Sequence, residues 1–339
     1  MKRGLILLLL GIAACALAAE PPQQALDAAG PQAAHIQQLW NITLTICSIV
    51  FAAVLAALIW ALRRGPRADA ATPPDLASRD RPERGAQRSV AAALTVSVLG
   101  LLFLIAASFV TDRALARMSV KDALHIEVTA NQWWWDIRYD DAEASRVFNT
   151  ANEMHIPVGR PVILTLKSND VIHSFWVPNL AGKKDLIPGR TAQMQLQADR
   201  AGTYRGQCAE FCGFQHAFMA FRVIAEAPAQ YEAWAGQQRA VAAVPANDTQ
   251  WRGRLLVLGG TCVMCHAIAG TEASARRGPD LSHVGSRETL AAGTLPNDEA
   301  SLKRWIRNPQ AFKPGVNMPA SNLSDEELSA IAEYLKGLS

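Results

Sequence analysis

Residues 204–219 read YRGQCAEFCGFQHAFM, and the placement of Cys208, Glu210, Cys212, His216 and Met219 in this run decides how the rest of the chain is read. A further histidine, His173, stands upstream in DVIHSFWVPNL (170–180). Two thiolates, two imidazoles and a thioether are soft-to-borderline ligands, the set that suits copper. With Cys208 and Cys212 four apart on one loop, both sulfurs are placed to bridge a pair of copper ions. His173 and His216 then cap one copper each, with Met219 and the Glu210 backbone carbonyl as weak outer ligands. Two other chemistries use part of the set. Tetrahedral zinc takes two Cys and two His but leaves Met219 without a role. A Cys208–Cys212 disulfide suits an exported domain but explains neither histidine. Single-copper electron-transfer sites use one Cys, and the second argues against them.

Around this run the chain has strand character. Short β-type runs at 124–130, 134–139, 162–166, 193–196 and 221–225 are separated by Pro157-Val158-Gly159, Ser168-Asn169-Asp170 and Pro188-Gly189-Arg190. Short strands at this spacing predict a β-sandwich or barrel of about 100 residues.

Downstream, residues 227–249 are rich in Ala and Gln, with Pro228 and Pro245 near the ends, and read as a helix or linker. The following GGTCVMCHAIAG (259–270) contains C-x-x-C-H. Cys262 and Cys265 suit thioether bonds to haem vinyl groups, and His266 suits the proximal iron position. Residues 251–258 predict a first helix, 277–281 a turn, and 302–307 a second helix. Ser324 and Glu327 form a capping box for a last helix, with Leu328, Ile331, Ala332 and Leu335 on one face. Met318, in the Pro-bounded KPGVNMP loop (313–319), is the candidate sixth ligand, because His/Met ligation raises the haem potential. His283 reads as structural. His35, His125 and His155 belong to no partner motif.

Toward the N-terminus lie two longer apolar stretches, 39–62 and 90–110, without a charged residue. Each is long enough to cross a hydrocarbon core of about 30 Å. Cys47, inside the first, reads as a small apolar residue. The connecting loop carries Arg63, Arg64, Arg67, Arg79, Arg81, Arg84 and Arg88, whereas 15–39 holds no Lys or Arg. The positive-inside rule puts the loop in the cytoplasm and both flanks outside. Lys2-Arg3 followed by a short apolar run reads as an export signal. Its end is either the Ile12–Cys15 run, which would leave Cys15 lipidated, or Ala16-Leu17-Ala18.

The whole composition agrees. The chain has 339 residues, 50% hydrophobic and 19% charged, which excludes global disorder and allows two or three domains. A formal charge of +3 argues against nucleic-acid binding. Six cysteines in this length do not make a disulfide scaffold.

The segments DVIHSFWVPNL, KKDLIPGR (183–190), YRGQCAEFCGFQHAFM and NQWWWDIRY (131–139) resemble, in order, the motifs of subunit II of haem–copper cytochrome c oxidases. The resemblance covers roughly residues 35–226, and that from 251 to 339 is to small class I cytochrome c. It implies a multidomain protein with a two-helix transmembrane hairpin, an all-β cupredoxin sandwich and an all-α class I cytochrome c domain. The expected division is a signal peptide over 1–14, an exported tail over 15–38, the hairpin over 39–110, the cupredoxin over 121–226, a linker over 227–250 and the cytochrome over 251–339. The family's binuclear CuA ligands fall on His173, Cys208, Glu210, Cys212, His216 and Met219. Its shared magnesium falls on the Glu210 side chain, and its electron-accepting aromatic residue on Trp133. Haem c falls on Cys262, Cys265, His266 and Met318. Two positions depart from the family: Trp134 replaces a usual Tyr, and Glu83 stands outside the context of the family's proton-path acid.

The resemblance implies electron input to a terminal oxidase of the caa type. Electrons come from a cytochrome c or membrane cytochrome donor through haem c to CuA and on to subunit I. There oxygen is reduced to water with proton pumping. No span here carries a histidine for the oxygen-reducing site, which therefore belongs to another chain. The implied partners are subunit I, the other oxidase subunits and membrane lipid, and the implied location is the bacterial cytoplasmic membrane with both C-terminal domains on its periplasmic face. The alternative is an anchored electron carrier serving a nitrogen-oxide reductase, against which KKDLIPGR and Glu210 speak.

Overall fold

The computed structural model describes residues 23–65, 71–73 and 83–339. The expected export signal, Cys15 and the loop residues Arg67, Arg79 and Arg81 lie outside the described residues.

The two apolar stretches form α1 (Pro31–Arg64) and α2 (Arg84–Ala116), extended at both ends by polar turns. Their 34 and 33 residues, at about 1.5 Å each, exceed the thickness of a hydrocarbon core. Hydroxyls inside them need no outside partner: Thr43, Thr45 and Thr95 donate to the carbonyls of Leu39, Asn41 and Ala91, one turn back. Leu55, Ile59, Phe103 and Ile105 are exposed, and no residue of α2 is buried. An apolar surface of that extent calls for lipid or another protein.

Ten strands follow, in two five-stranded sheets. One sheet is built from β1 (Leu124–Asn131), β2 (Trp134–Asp140), β3 (Phe148–Ala151), β5 (Val162–Ser168) and β8 (Ala192–Leu196), in the order β3-β2-β1-β5-β8. The other contains β4 (Glu153–Pro157), β6 (His173–Trp176), β7 (Lys184–Leu186), β9 (Gly202–Cys208) and β10 (Ala220–Glu226), in the order β4-β10-β9-β6-β7. Alternation along β1 sends Ile126, Val128 and Ala130 inward, where they join Trp135, Ile137, Leu164, Leu166, Phe221 and Val223. Asn152, with φ of 62°, turns the chain from one sheet to the other between β3 and β4. Asn tolerates this left-handed conformation, and its Oδ1 accepts from the Trp135 amide at 2.9 Å.

Residues ahead of α1 are tied to the sandwich. Asn179 Nδ2 donates to the carbonyls of Gln24 and Asp27, and the Ala29 amide donates to the Asn179 carbonyl.

The Ala/Gln-rich segment forms α3 (Pro228–Gln238), which continues from β10. Its Trp234 stacks on His155 at 4.0 Å, and His155 Nδ1 lies 3.1 Å from Glu226 Oε2. His155 thus has partners that its sequence context did not reveal.

The last part contains α4 (Asp248–Gly259), the two-residue strands β11 (Thr289–Leu290) and β12 (Leu295–Pro296), α5 (Glu299–Arg307) and α6 (Asp325–Lys336). Each helix has a side-chain cap: Asn247, Asp298 and Ser324, the last in a complete capping box with Glu327. α4 meets α6 at Gly253, where a Cβ would lie 2.0 Å from the Ala330 carbonyl oxygen, so only Gly permits the approach. Val257, Leu302, Ile306, Leu328, Ile331 and Leu335 form a second core. His283 is buried with Nε2 3.1 Å from the Ala240 carbonyl, the structural placement expected for it.

Candidate metal and haem sites

Cys208 is the last residue of β9, and the loop after it returns through a short 3-10 turn, His216–Phe218, to β10. The Cys208 amide closes this loop by donating to the Met219 carbonyl at 3.0 Å. β6 pairs with β9 so that Phe175 lies opposite Cys208, and His173, two residues before Phe175, comes beside the loop. Two remote pieces of sequence thereby meet at one end of the sandwich.

The donor atoms form a chain of close neighbours. His173 Nδ1 is 3.8 Å from Cys208 Sγ, which is 3.8 Å from Cys212 Sγ. Cys212 Sγ is 3.6 Å from His216 Nδ1 and 3.8 Å from Met219 Sδ. The Glu210 carbonyl oxygen lies 3.2 Å from Cys208 Sγ, while the Glu210 side chain is exposed. At 3.8 Å the two sulfurs are far from a bond of about 2.05 Å. Each histidine faces a different sulfur, and Met219 approaches only one of them. This arrangement suits two ions side by side better than one tetrahedral zinc. The Cys pair releases one proton easily and retains the other. Hydrogen bonding between the sulfurs takes Cys208 down to about 3, with burial opposing it, and the same contact with burial raises Cys212. A cation between them removes the conflict.

Asp170, which the sequence reading did not single out, completes the site. His173 Nε2 donates to Asp170 Oδ1 at 2.8 Å, which fixes the ring with Nδ1 facing Cys208. The same carboxylate accepts from the amides of Gln132 and Val171. Burial pushes the Asp170 carboxyl up, but His173 and these amides more than offset it and hold it below the usual range. The available signal was an acid three residues ahead of a ligand-type histidine.

Trp133 is buried at 7% exposure, and its indole Nε1 donates to the Cys212 carbonyl at 2.8 Å. Gly315 of the KPGVNMP loop lies against its ring. Trp135 is a core residue, with ring contacts to His173, Phe175 and Phe221.

In the second site, Cys262 and Cys265 are unbonded and half-buried. His266 Nδ1 donates to the Pro279 carbonyl at 2.7 Å, which fixes the ring and leaves Nε2 as the ligand nitrogen. Burial lowers the His266 pKa, the Pro279 bond opposing it, so the imidazole is held neutral. A Cβ on Gly278 would lie 2.7 Å from His266 Cε1, so Gly lets the backbone pass the ring. Met318 and Cys262 are both half-buried and both pack at the margin of the second core, so the apolar side of each remains available to a large apolar group. The donor sets of both sites therefore fit the groups expected for them.

Residues 124–226 match the family "Cytochrome C oxidase subunit II, periplasmic domain", and residues 251–339 match "Cytochrome c". A cytochrome c oxidase subunit 2 of Alkalihalophilus pseudofirmus is 34% identical over 93% of this chain and 90% of its own length. That of Bacillus subtilis is 33% identical over 64% of this chain and 63% of its own. The periplasmic domain of subunit II of cytochrome oxidase from Bradyrhizobium japonicum aligns at 30% identity with a TM-score of 0.33. That alignment covers 36% of this chain and 97% of that one.

Proposed function

The chain belongs to the cytochrome c oxidase subunit II family, and on that premise we propose the path by which electrons cross it and the residues that hold that path. A subunit II with a cytochrome c domain serves electron transfer in a haem–copper terminal oxidase, as a membrane-anchored subunit with copper and haem c as its cofactors. When bound, the haem and the copper pair supply one-electron carriers, which link an outside donor to oxygen reduction and proton pumping on subunit I.

Cys262 and Cys265 would hold the haem covalently, with His266 and Met318 as the residues that would ligate its iron. His173, Cys208, Cys212, His216, Met219 and the Glu210 carbonyl would hold the coppers. Asp170 keeps the His173 ring in the tautomer that ligates, and ligands fixed on packed strands need little rearrangement when the charge changes. The exposed Glu210 side chain is free to share a magnesium ion with subunit I. Trp133 connects the domains, because its indole is bonded to the copper loop while its ring meets the KPGVNMP loop. That contact is the observation that carries the reading. A soluble donor has no access to a buried Trp133, so it delivers electrons to the haem domain instead.

The membrane side follows from two independent features. Residues 24–33, ahead of the first span, are bonded to the sandwich that follows the second. Both flanks of the hairpin therefore share one face of the membrane, as the arginines of the connecting loop require. We assign that face to the periplasm of a bacterial inner membrane.

The test is to purify the full chain from its own membrane and measure copper, zinc, covalent haem and co-purifying subunits. The expected result is a copper pair and one haem per chain, together with a many-span haem protein that consumes oxygen. Zinc in place of copper, or a partner that reduces only nitrogen oxides, would overturn the reading.

A further inference from the structure

Lys313 is among the largest fully buried side chains of the protein, at 1% exposure, although it lies in a Pro- and Gly-bounded loop. Its Nζ donates to three carbonyls: Trp133 at 2.9 Å, Phe218 at 2.8 Å and Ala291 at 3.1 Å. The first two belong to the β-sandwich, one beside β2 and one next to Met219. The third belongs to the haem domain. An ammonium has three N–H groups, so all are used and none is left for water. Burial lowers the Lys313 pKa to about 7, with Cys212 opposing it. A buried cation is unfavourable unless its hydration is replaced in full. The site therefore tolerates Lys313 in one relative placement of the two domains.

The surrounding backbone is shaped to the same end. Ala291 and Ala292 have φ of 53° and 58°, a left-handed conformation that alanine adopts only under constraint. This turn aims the Ala291 carbonyl at Lys313, while the Ala292 carbonyl accepts from the Ala220 amide at 3.2 Å. Gln215, between Cys212 and His216, donates through Nε2 to the Pro314 carbonyl at 2.6 Å. Farther out, the buried Glu153 carboxylate accepts from the amides of Glu288 and Thr289, at 3.0 and 2.9 Å. Directional bonds of this kind specify orientation, which an apolar contact would leave free to slide.

Resting on the electron-transfer reading above, we infer that Lys313 is a positioning residue. By joining the carbonyls of Trp133, Phe218 and Ala291, it locks the haem domain onto the copper loop, so that electrons pass in one docked geometry. Without the lock, the haem domain is a tethered partner that must find the loop by diffusion at the local concentration its linker allows. Lys313 lies five residues before Met318, and Trp133 is bonded to Cys212, so the lock lies between the haem-side and copper-side ligand loops.

Two measurements on the full chain test this. In the first, amine acetylation is followed by mass spectrometry. Lys313 should react at least about tenfold more slowly than the exposed Lys183 and Lys184, as expected of a group that reacts only through local opening. Equal rates would overturn the proposal, whatever the metal content. In the second, Lys313→Met is compared with the parent protein. The copper and haem spectra and the haem potential should stay unchanged, while haem-to-copper transfer, compared at equal driving force, should slow from a fixed docked rate to the slower rate of tethered encounter. Unchanged transfer with intact spectra would also overturn it. If the variant loses its copper spectrum, the acetylation result on the parent protein decides. If instead the parent protein holds no copper or haem, the electron-transfer reading fails, and acetylation still reports whether the lock exists.

Discussion

In the β-sandwich, Cys208 and Cys212 are each 2% exposed, and the donor atoms already lie side by side before any ion is considered. In the haem domain, Cys262, Cys265 and His266 are half-buried, and Met318 and Cys262 sit at the margin of their core rather than within it. The candidate copper ligands lie at the ends and in the loops of strands that pack through their own side chains. Haem, by contrast, is itself a large part of the apolar interior of the domain that binds it. A metal held only by protein groups can thus be read as a cage of packed donor atoms, whereas a large cofactor is read from the motif that attaches it.

The strongest test of that difference pairs two double variants. Cys262→Ser with Cys265→Ser should remove covalent haem altogether and leave α4, α5 and α6 loosely packed, seen as early melting and proteolysis after residue 240. Cys208→Ser with Cys212→Ser should abolish bound copper equally completely, yet leave both domains folded and the haem spectrum unchanged. If the copper variant unfolds the sandwich, the packing of the strands depends on the metal and the comparison fails. A smaller effect is expected from Asp170→Asn, which weakens the acceptor of His173 Nε2 without touching a ligand. Copper affinity should fall by about 10- to 100-fold with haem content unaffected. A loss no larger than that of an exposed acid such as Asp185 would show that Asp170 does not orient the ring.

The smallest effect concerns pH. Burial holds the His155 pKa below its ordinary value, with Glu226 opposing it. The unfolded chain therefore takes up this proton first as the solution is acidified. Stability from His155 is complete above the ordinary histidine pKa and is lost as pH falls through the folded value. His155→Gln should reduce the acid-side fall in melting temperature, each protein being compared with its own value at neutral pH. An identical acid profile in the variant would place the sensitivity elsewhere.

Much of this architecture was legible because local pattern and tertiary environment agree. Alternation identified β1, β2 and β5, charge-free length identified α1 and α2, and Ser324 with Glu327 marked the start of α6. β6 and β9 escaped for opposite reasons. β6 is buried at His173, Ser174 and Phe175 in succession, so it shows no alternation. β9 carries Gly202 and Gly206 and reads as turn. β3 and β4 were hidden by the sheet change at Asn152, and β4 opens on Glu153, a carboxylate whose amide partners lie about 135 residues away. Lys313 was illegible for the same reason, since each of its partners is distant in sequence. The candidate copper donors could be picked out as a set because their chemistry is local to two short motifs. The bonds that orient those motifs toward each other are not.

The most direct test of the account follows one electron through the intact chain. The haem is reduced in a pulse, and haem and copper absorbances are monitored together as protein concentration is varied. The account predicts that the haem is reoxidised as the copper is reduced, at a first-order rate independent of concentration. A rate that rises with protein concentration, or a haem that stays reduced beside oxidised copper, would contradict it.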